Sequence, residues 1–552
     1  MKKKAFKLPF FQKGEAGNIN FAKKNISSHF FLLAYIFFLL VFFTVLIARL
    51  FQLTIVKGYY YRLLSEKNRT RELIIEAKRG KIKDRKGITL AYNLPADIRK
   101  NEERIKSARI YLDPYVTASI IGYRQIADKN DLKNDVCLAA KLTLGDKVGK
   151  KGVEKLFDCQ LRGKNGKKLI EVDASGKFLK ELAVIPPIEG ETIQLSVDYM
   201  LQKKAHELLK DKKGAIIALK PSTAEVLILA SSPSFSSQDF EDGNFSSIQK
   251  YLTDKNQPLF NRTTEGVYPP GSIFKLAVAL AALQEKAIDE KTLFEDTGVL
   301  QAGSLKFGNW YFLQYGKTDG TVDVIKAIKR SNDIFFYKTG AAAGVEKINH
   351  WAKLLGLGEK TGIGLPENEG LLPSPFWKKT VLKEDWYLGD TYNFSIGQGY
   401  LLVTPLQVAQ LTNIFANGGY LCQPQLLKIK EKNKGTTYCQ KLPILPKNLL
   451  LIKEGMKQAC SSGGTGWPLF NFGVGGESTA SASFKKIQTA CKTGTAESQS
   501  KDHLPHAWIT VFAPYENPEI VLTVLVENAG QGSDVAGPIA KEILKAYFER
   551  KE

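Results

Sequence analysis

The chain has 552 residues, with 78 Lys and Arg against 56 Asp and Glu, for a net charge of +22. That length exceeds one ordinary domain and allows a large core. The basic excess suits an anionic partner, but no zinc-finger spacing, RNP-like run or basic helix accompanies it, so no nucleic-acid partner is expected.

In chain order, the first informative stretch is 25–48, NISSHFFLLAYIFFLLVFFTVLIA, which contains no Lys, Arg, Asp or Glu. It is long enough to cross a bilayer as a helix. Lys2, Lys3, Lys4, Lys7, Lys13, Lys23 and Lys24 precede it. The positive-inside rule therefore puts this tail in the cytoplasm and everything after Arg49 outside. The run is too long for a cleaved signal peptide and no small-x-small site follows it. A buried soluble helix would rarely be apolar all round. The expected order is a cytoplasmic tail (1–28), one transmembrane anchor (29–52) and a large external body.

Residues 53–190 are mixed and charged, with an extended segment at 78–93 turning at Asp84-Arg85-Lys86-Gly87. They read as a modest α+β pedestal, and Pro186-Pro187 and Glu189-Gly190 mark its end. In 191–552, a helix at 200–210 leads into strands at 214–220 and 225–232. Strands at 486–495, 507–513 and 520–527 precede a helix at 539–548. Between them lie helices at 272–286, 323–343, 346–355 and 405–417. This pattern predicts an α+β domain: one antiparallel sheet built from both ends of the segment, with helices on its faces and a helical lobe inserted.

The tripeptide Lys-Thr-Gly occurs three times. At 338–340 it continues a helical pattern as an exposed helix end, and at 360–362 it lies in the Gly-rich loop LGLGEKTGIGLP. Only Lys492-Thr493-Gly494, followed by Thr495, sits on a strand, whose edge can pair with an extended peptide. Ser272-x-x-Lys275 follows Pro269-Pro270-Gly271 and heads an apolar helix. Its two side chains share a face, and the serine sits where backbone N–H groups favour negative charge. Ser-x-x-Lys recurs at Ser247–Lys250, Ser483–Lys486 and Ser498–Lys501 without that setting. Ser331-Asn332-Asp333 precedes the apolar run IFFY, as a helix N-cap would. His503-x-x-His506 lacks any supporting carboxylate or cysteine cluster and reads as two loop histidines.

In order, Ser-x-x-Lys, Ser-x-Asn and Lys-Thr-Gly are the pattern of penicillin-binding proteins and serine β-lactamases. The chain resembles a class B penicillin-binding protein along nearly its whole length after the tail. Carrying the likeness are RGKIKDRKGITLA (79–91), GAIIALKPSTAEVLILASSPSF (214–235), NRTTEGVYPPGSIFK (261–275), SIGQGYLLVTPLQVA (395–409) and CKTGTAE (491–497). It is most similar to the elongation type, penicillin-binding protein 2, as GVEKLFDCQLRGKNGKKLIEVDASGK (152–177) and Asp rather than Asn at 333 suggest.

The resemblance implies a peptidoglycan DD-transpeptidase serving lateral wall growth. A DD-carboxypeptidase or a division-type transpeptidase is the alternative. Ser272 would be the nucleophile, Lys275 its base and Ser331 a proton relay, with Asp333 beside them. Lys492, Thr493, Gly494 and Thr495 would bind the terminal carboxylate, and the N–H groups of Ser272 and Thr495 would form the oxyanion hole. Burial and the charge of Lys492 are expected to keep Lys275 neutral. Implied partners are stem peptides, β-lactams, the membrane and a membrane glycan polymerase; no metal or organic cofactor is implied. Of the six cysteines, a Cys460–Cys491 bridge would tie the Lys-Thr-Gly strand to the helical lobe, with Cys422–Cys439 as the competing pair.

Overall fold

The computed structural model describes residues 28–97, 102–138, 140–429, 439–475, 484–498 and 503–550. The tail expected at 1–28 lies, except for its last residue, outside them. The chain divides into two compact units, Met1–Glu72 with Lys168–Ala183, and Leu73–Lys167 with Val184–Glu552.

The first unit contains helix α1 (Ser28–Phe51), which a π-helical turn extends, so that His29–Val56 is apolar and long enough to cross a membrane. A hairpin of Gly166–Val172 and Phe178–Ile185 turns on Asp173, whose Oδ1 accepts the N–H groups of Ser175 and Lys177. Every residue of its second strand is exposed. Glu171 pairs with Arg69 and Lys180.

The second unit opens with short strands at Ile82–Lys83, Thr89–Asn93 and Arg109–Tyr111. Glu154 is fully buried here between Arg79 and Arg109. Burial would raise its pKa, but Arg109, Arg79 and Arg124 outweigh that and hold it at about 2. Cys137 is bonded to Cys159, a bridge the sequence reading did not name.

Next come helix α2 (Tyr199–Leu208), capped by Asp198, and strands β1 (Gly214–Lys220) and β2 (Glu225–Ser232). The helical lobe follows: α3 (Lys275–Gln284), α4 (Val324–Arg330), α5 (Asp333–Ala343), α6 (Pro405–Ala416) and α7 (Pro446–Ala459). The chain then returns to the sheet as β3 (Ala490–Ala496), β4 (His506–Ala513) and β5 (Ile520–Val526), and ends in α8 (Gly537–Glu549). The strand order is β2-β1-β5-β4-β3, antiparallel throughout. The expected sheet, built from both ends of the segment, is therefore present, with β3 at one edge.

Alternation along the strands sends side chains to two cores. Ala215, Ile217 and Leu219 of β1 join α3 and α6. Ile216 and Ala218 join α2 and α8. Strands covered on both faces must be almost wholly apolar, which is why β1, β2 and β5 read as continuous hydrophobic runs. All twelve residues of α6 are buried, and Thr412 on it meets Thr510 of β4 at 2.7 Å.

One expected helix is corrected. The segment 323–343 is two helices, because Ser331 adopts a left-handed backbone (φ 55°) that ends α4, and Asn332 caps α5 by accepting the Phe335 N–H. The two disulfides framed as competitors both exist, Cys422–Cys439 and Cys460–Cys491. Cys422 and Cys439 lie directly opposite one another on a two-stranded ribbon, so neither bridge deprives the other of a partner.

Candidate active site

The Ser272 turn is held by close backbone approach. Gly271 has φ 52°, donates its N–H to Gly397 O at 2.9 Å, and a Cβ on it would stand 2.8 Å from Thr495 O. A Cβ on Gly494 would stand 2.9 Å from Pro270 O. These two glycines let the edge strand β3 lie against the turn before α3, which brings the first and third motifs together. Residues 271–273 form a 3₁₀ turn, so Ser272 precedes the α-helix proper instead of opening it.

Lys275 is fully buried and directs its ammonium to the second motif. It donates to Asp333 Oδ1 at 2.6 Å, to the Ser331 carbonyl at 2.7 Å and to Ser331 Oγ at 3.4 Å. Ser272, the hydroxyl it was expected to serve, is not among these three partners. Lys492, also fully buried, donates to Ser331 Oγ at 2.8 Å and to Thr493 O at 2.9 Å. Ser331 Oγ therefore bridges the two lysines. The left-handed turn between α4 and α5 points it there, the kind of uncommon backbone that concentrates at functional sites.

The electrostatics follow from burial and from these partners. Burial pushes Lys275 below its usual pKa, and Asp333 opposes the fall. Lys492 is pushed far lower, first by burial and then by the charge on Lys275, with Asp333 again opposing. Lys275 and Asp333 are a matched pair at 2.6 Å, whereas the bonds of Lys492 run to Ser331 Oγ and the Thr493 carbonyl. Burial is thus the first cause that lowers each lysine, and the repulsion between the two ammonium groups acts on both.

Thr493 is buried and its hydroxyl donates to Thr465 Oγ1 at 2.7 Å. Thr495 is exposed. Its carbonyl accepts from Gln398 Nε2 at 3.3 Å, so this edge of β3 faces the 397–400 loop. A strand residue's N–H and C=O project to the same side, so the Thr495 N–H faces the same space.

Several contributors come from distant segments and were not read from the sequence. Trp310 N–H donates to Asp333 Oδ2 at 2.8 Å, and Asn309 Oδ1 accepts the Asp333 N–H at 3.1 Å. Asn332 donates to Asp296 and Asp319. Gln398 and Thr465 belong to this group as well. They are ordinary polar residues in loops, and no local spacing distinguishes them.

The decoys have other surroundings. Ser247 lies on a short helix, where its N–H bonds to the Asn244 cap. Ser483 and Lys501 fall outside the described residues. His506 packs edge-on to the Tyr268 ring at 5.5 Å.

Residues 214–545 match the penicillin-binding protein transpeptidase domain, and residues 102–195 match the penicillin-binding protein dimerisation domain. The peptidoglycan D,D-transpeptidase MrdA of Haemophilus influenzae is 34% identical over 464 residues, 80% of this chain and 70% of that protein. The structure of penicillin-binding protein 2 from Helicobacter pylori in complex with MreC aligns with a TM-score of 0.71 at 30% identity, over 87% of this chain and 99% of that one. A chain from a peptidoglycan synthase complex that coordinates polymerization and crosslinking aligns with a TM-score of 0.73 at 28% identity, over 95% of this chain and 98% of that one. With its motifs brought together on this sheet and these relatives beside it, the chain belongs to the penicillin-binding protein transpeptidases as a penicillin-binding protein 2, a serine peptidoglycan D,D-transpeptidase.

Proposed function

We propose that Ser272, Lys275, Ser331 and Asp333 carry out the transpeptidation and that Lys492, Thr493, Gly494 and Thr495 hold the donor peptide. What supports this most is one observation: Lys275 and Lys492 both converge within hydrogen-bonding reach of Ser331 Oγ, with Asp333 bonded to Lys275, beside the turn that presents Ser272.

The donor stem peptide pairs with the edge of β3 and sets its terminal carboxylate against Lys492, Thr493 and Thr495. That carboxylate is a negative partner for Lys492 and favours its charged form. A charged Lys492 then repels the charge on Lys275 and favours its neutral form. Ser272 Oγ attacks the penultimate D-Ala carbonyl while its proton passes to Lys275. The N–H groups of Ser272 and Thr495 stabilise the oxyanion. The C–N bond breaks, and Ser331 gives its proton to the leaving D-Ala amine and is resupplied by Lys275. An acceptor amine then attacks the acyl ester, loses a proton to Lys275, and forms the crosslink as Ser272 recovers its own.

Residues 53–190 serve as the pedestal of the 191–552 catalytic domain. The 29–52 helix anchors the chain in the cell membrane, with the basic tail in the cytoplasm and the catalytic domain outside. Three disulfides and no free cysteine among the described residues suit an oxidising compartment. The partner is a membrane glycan polymerase of the elongation type, in keeping with the likeness to the synthase complex. β-Lactams acylate Ser272 as mimics of the donor.

The test is incubation of the membrane-reconstituted protein with polymerised lipid-linked precursor. Dimeric muropeptides are expected. Release of D-Ala without dimers would make the protein a carboxypeptidase instead.

A further inference from the structure

The segment 461–466, Ser-Ser-Gly-Gly-Thr-Gly, bonds to the third motif and to the residue just before the second. It leaves α7 at Cys460, which is bonded to Cys491, the residue before Lys492. Gly463 O accepts from Arg330 Nη1 at 3.0 Å, one residue before Ser331. Thr465 Oγ1 then lies 2.7 Å from Thr493 Oγ1. A Cβ on Gly466 would stand 2.4 Å from the Cys491 sulfur, so the segment can lie this close to β3 only with glycine there.

We propose that Thr465 is a positioning residue for carboxylate recognition, its hydroxyl donating to Thr493 so that Thr493 can donate to the anionic terminus of the peptide. The inference rests on the reading that Thr493 faces that carboxylate.

A hydroxyl has one proton and two lone pairs. Thr493 spends its proton on Thr465. A carboxylate can only accept, so to bind it Thr493 must turn that proton away. Thr465 is then left facing an oxygen, and its own proton can rotate into the gap. The resulting chain, Thr465 to Thr493 to carboxylate, keeps every hydroxyl satisfied and polarises the bond to the anion. Without the Thr465 hydroxyl, the bond from Thr493 to the ligand forms alone. Lys492 cannot stand in as donor to the Thr493 hydroxyl, because it meets Ser331 Oγ and the carbonyl of Thr493, not that hydroxyl.

The probe pair is a labelled penicillin and its methyl ester, which differ by the negative charge and one methyl group. Acylation rates are measured for both on the full-length protein in detergent. Thr465→Val, which keeps the shape, is expected to slow the acid about tenfold, the scale of a hydrogen bond to a charged group, and to leave the ester unchanged. Thr465→Ser is expected to restore the preference for the acid and to keep the readout open if the valine variant folds poorly. Equal slowing of acid and ester in Thr465→Val, with the preference intact, would overturn the proposal and leave Thr465 structural. Thr493→Val separates the two readings. If it too leaves the acid-to-ester ratio untouched, the carboxylate role of Thr493 fails and the inference falls with it. If it removes the preference while Thr465→Val does not, only the inference fails.

Discussion

Three stretches of this molecule share the sequence Lys-Thr-Gly, and the structure gives them three different surroundings. In β3, Lys492 is fully buried and bonded to Ser331 Oγ, Thr493 meets Thr465, and Gly494 lets the strand approach the Ser272 turn. In α5, Lys338 lies over the Phe294 ring and donates to Glu295 O, while Thr339 and Gly340 are buried in helix packing. That copy was expected at an exposed helix end and is instead an interior turn of α5. In the loop, Lys360 is exposed, and Glu367 accepts from the N–H and hydroxyl of Thr361 and from the Gly362 N–H. The difference lies in what each backbone leaves unpaired. A helix and a loop satisfy their own polar groups, whereas an edge strand keeps a side free for a peptide.

The largest effect expected within this comparison is at the nucleophile. Ser272→Ala should abolish covalent labelling by penicillin, read by intact mass, while Ser247→Ala leaves it complete. An adduct on the Ser272→Ala protein would dismiss the whole assignment. Next is the cation of β3. Lys492→Ala should slow acylation by about tenfold to a hundredfold, the cost of one charge-assisted hydrogen bond at the ligand. Lys338→Ala, which removes the same letter from α5, should change it by less than about twofold, as for surface contacts remote from a site. Similar losses from both changes would mean that surroundings do not distinguish the copies.

A third effect concerns pH. Asp333 holds up the pKa of Lys275 against burial. The base must be neutral to act, so acylation rises as pH passes upward through that pKa. Asp333→Asn removes the opposing carboxylate, which lets the Lys275 pKa fall. The acid limb of the pH–rate profile should therefore move to lower pH. A limb that stays in place, or moves to higher pH, would show that Asp333 does not govern this lysine.

How much of this was legible beforehand depended on how local the determinant was. The strands at 214–220 and 225–232 match β1 and β2 in full, because a strand buried on both faces announces itself as an apolar run. Ser272, Lys275, Ser331 and Lys492 were found because each sits in a short pattern. The break at Ser331 was blurred because helical propensity runs through it, and only the left-handed backbone separates α4 from α5. Asn309, Trp310, Gln398 and Thr465 left no mark, since each reaches the site from a loop or a short helix start outside the three motifs. The pairing of Asp333 with Lys275 was also hidden, because spacing does not reveal which lysine a carboxylate contacts.

A smaller effect separates stability from chemistry inside the α5 copy. Alanine is the better helix former by about 1 kcal/mol, so Gly340→Ala would stabilise an open helix. Here its Cβ would stand 1.7 Å from the Ser395 hydroxyl oxygen. Relieving that overlap costs about 1–3 kcal/mol, so packing should win and the melting temperature should drop. The acylation rate of the folded fraction should stay within about twofold of the parent, as for a change remote from the reacting atoms. A raised melting temperature would mean that α5 has room to shift.

The smallest effect belongs to the loop copy. Lys360 is exposed, and the bonds that fix this loop run from Thr361 and Gly362 to Glu367, not from the lysine. Lys360→Ala should move neither penicillin labelling nor unfolding by more than about 0.5 kcal/mol, the usual range for a surface change. Thr361→Val in the same loop should cost about 1 kcal/mol of stability, because it removes a hydroxyl bonded to a carboxylate, and should leave labelling intact. The pair thus sets a lysine that does nothing beside a threonine that only holds a loop, opposite a lysine and a threonine in β3 whose loss reaches the chemistry. If Lys360→Ala slowed acylation as much as Lys492→Ala, the edge strand would lose its claim to be the setting that makes this tripeptide work.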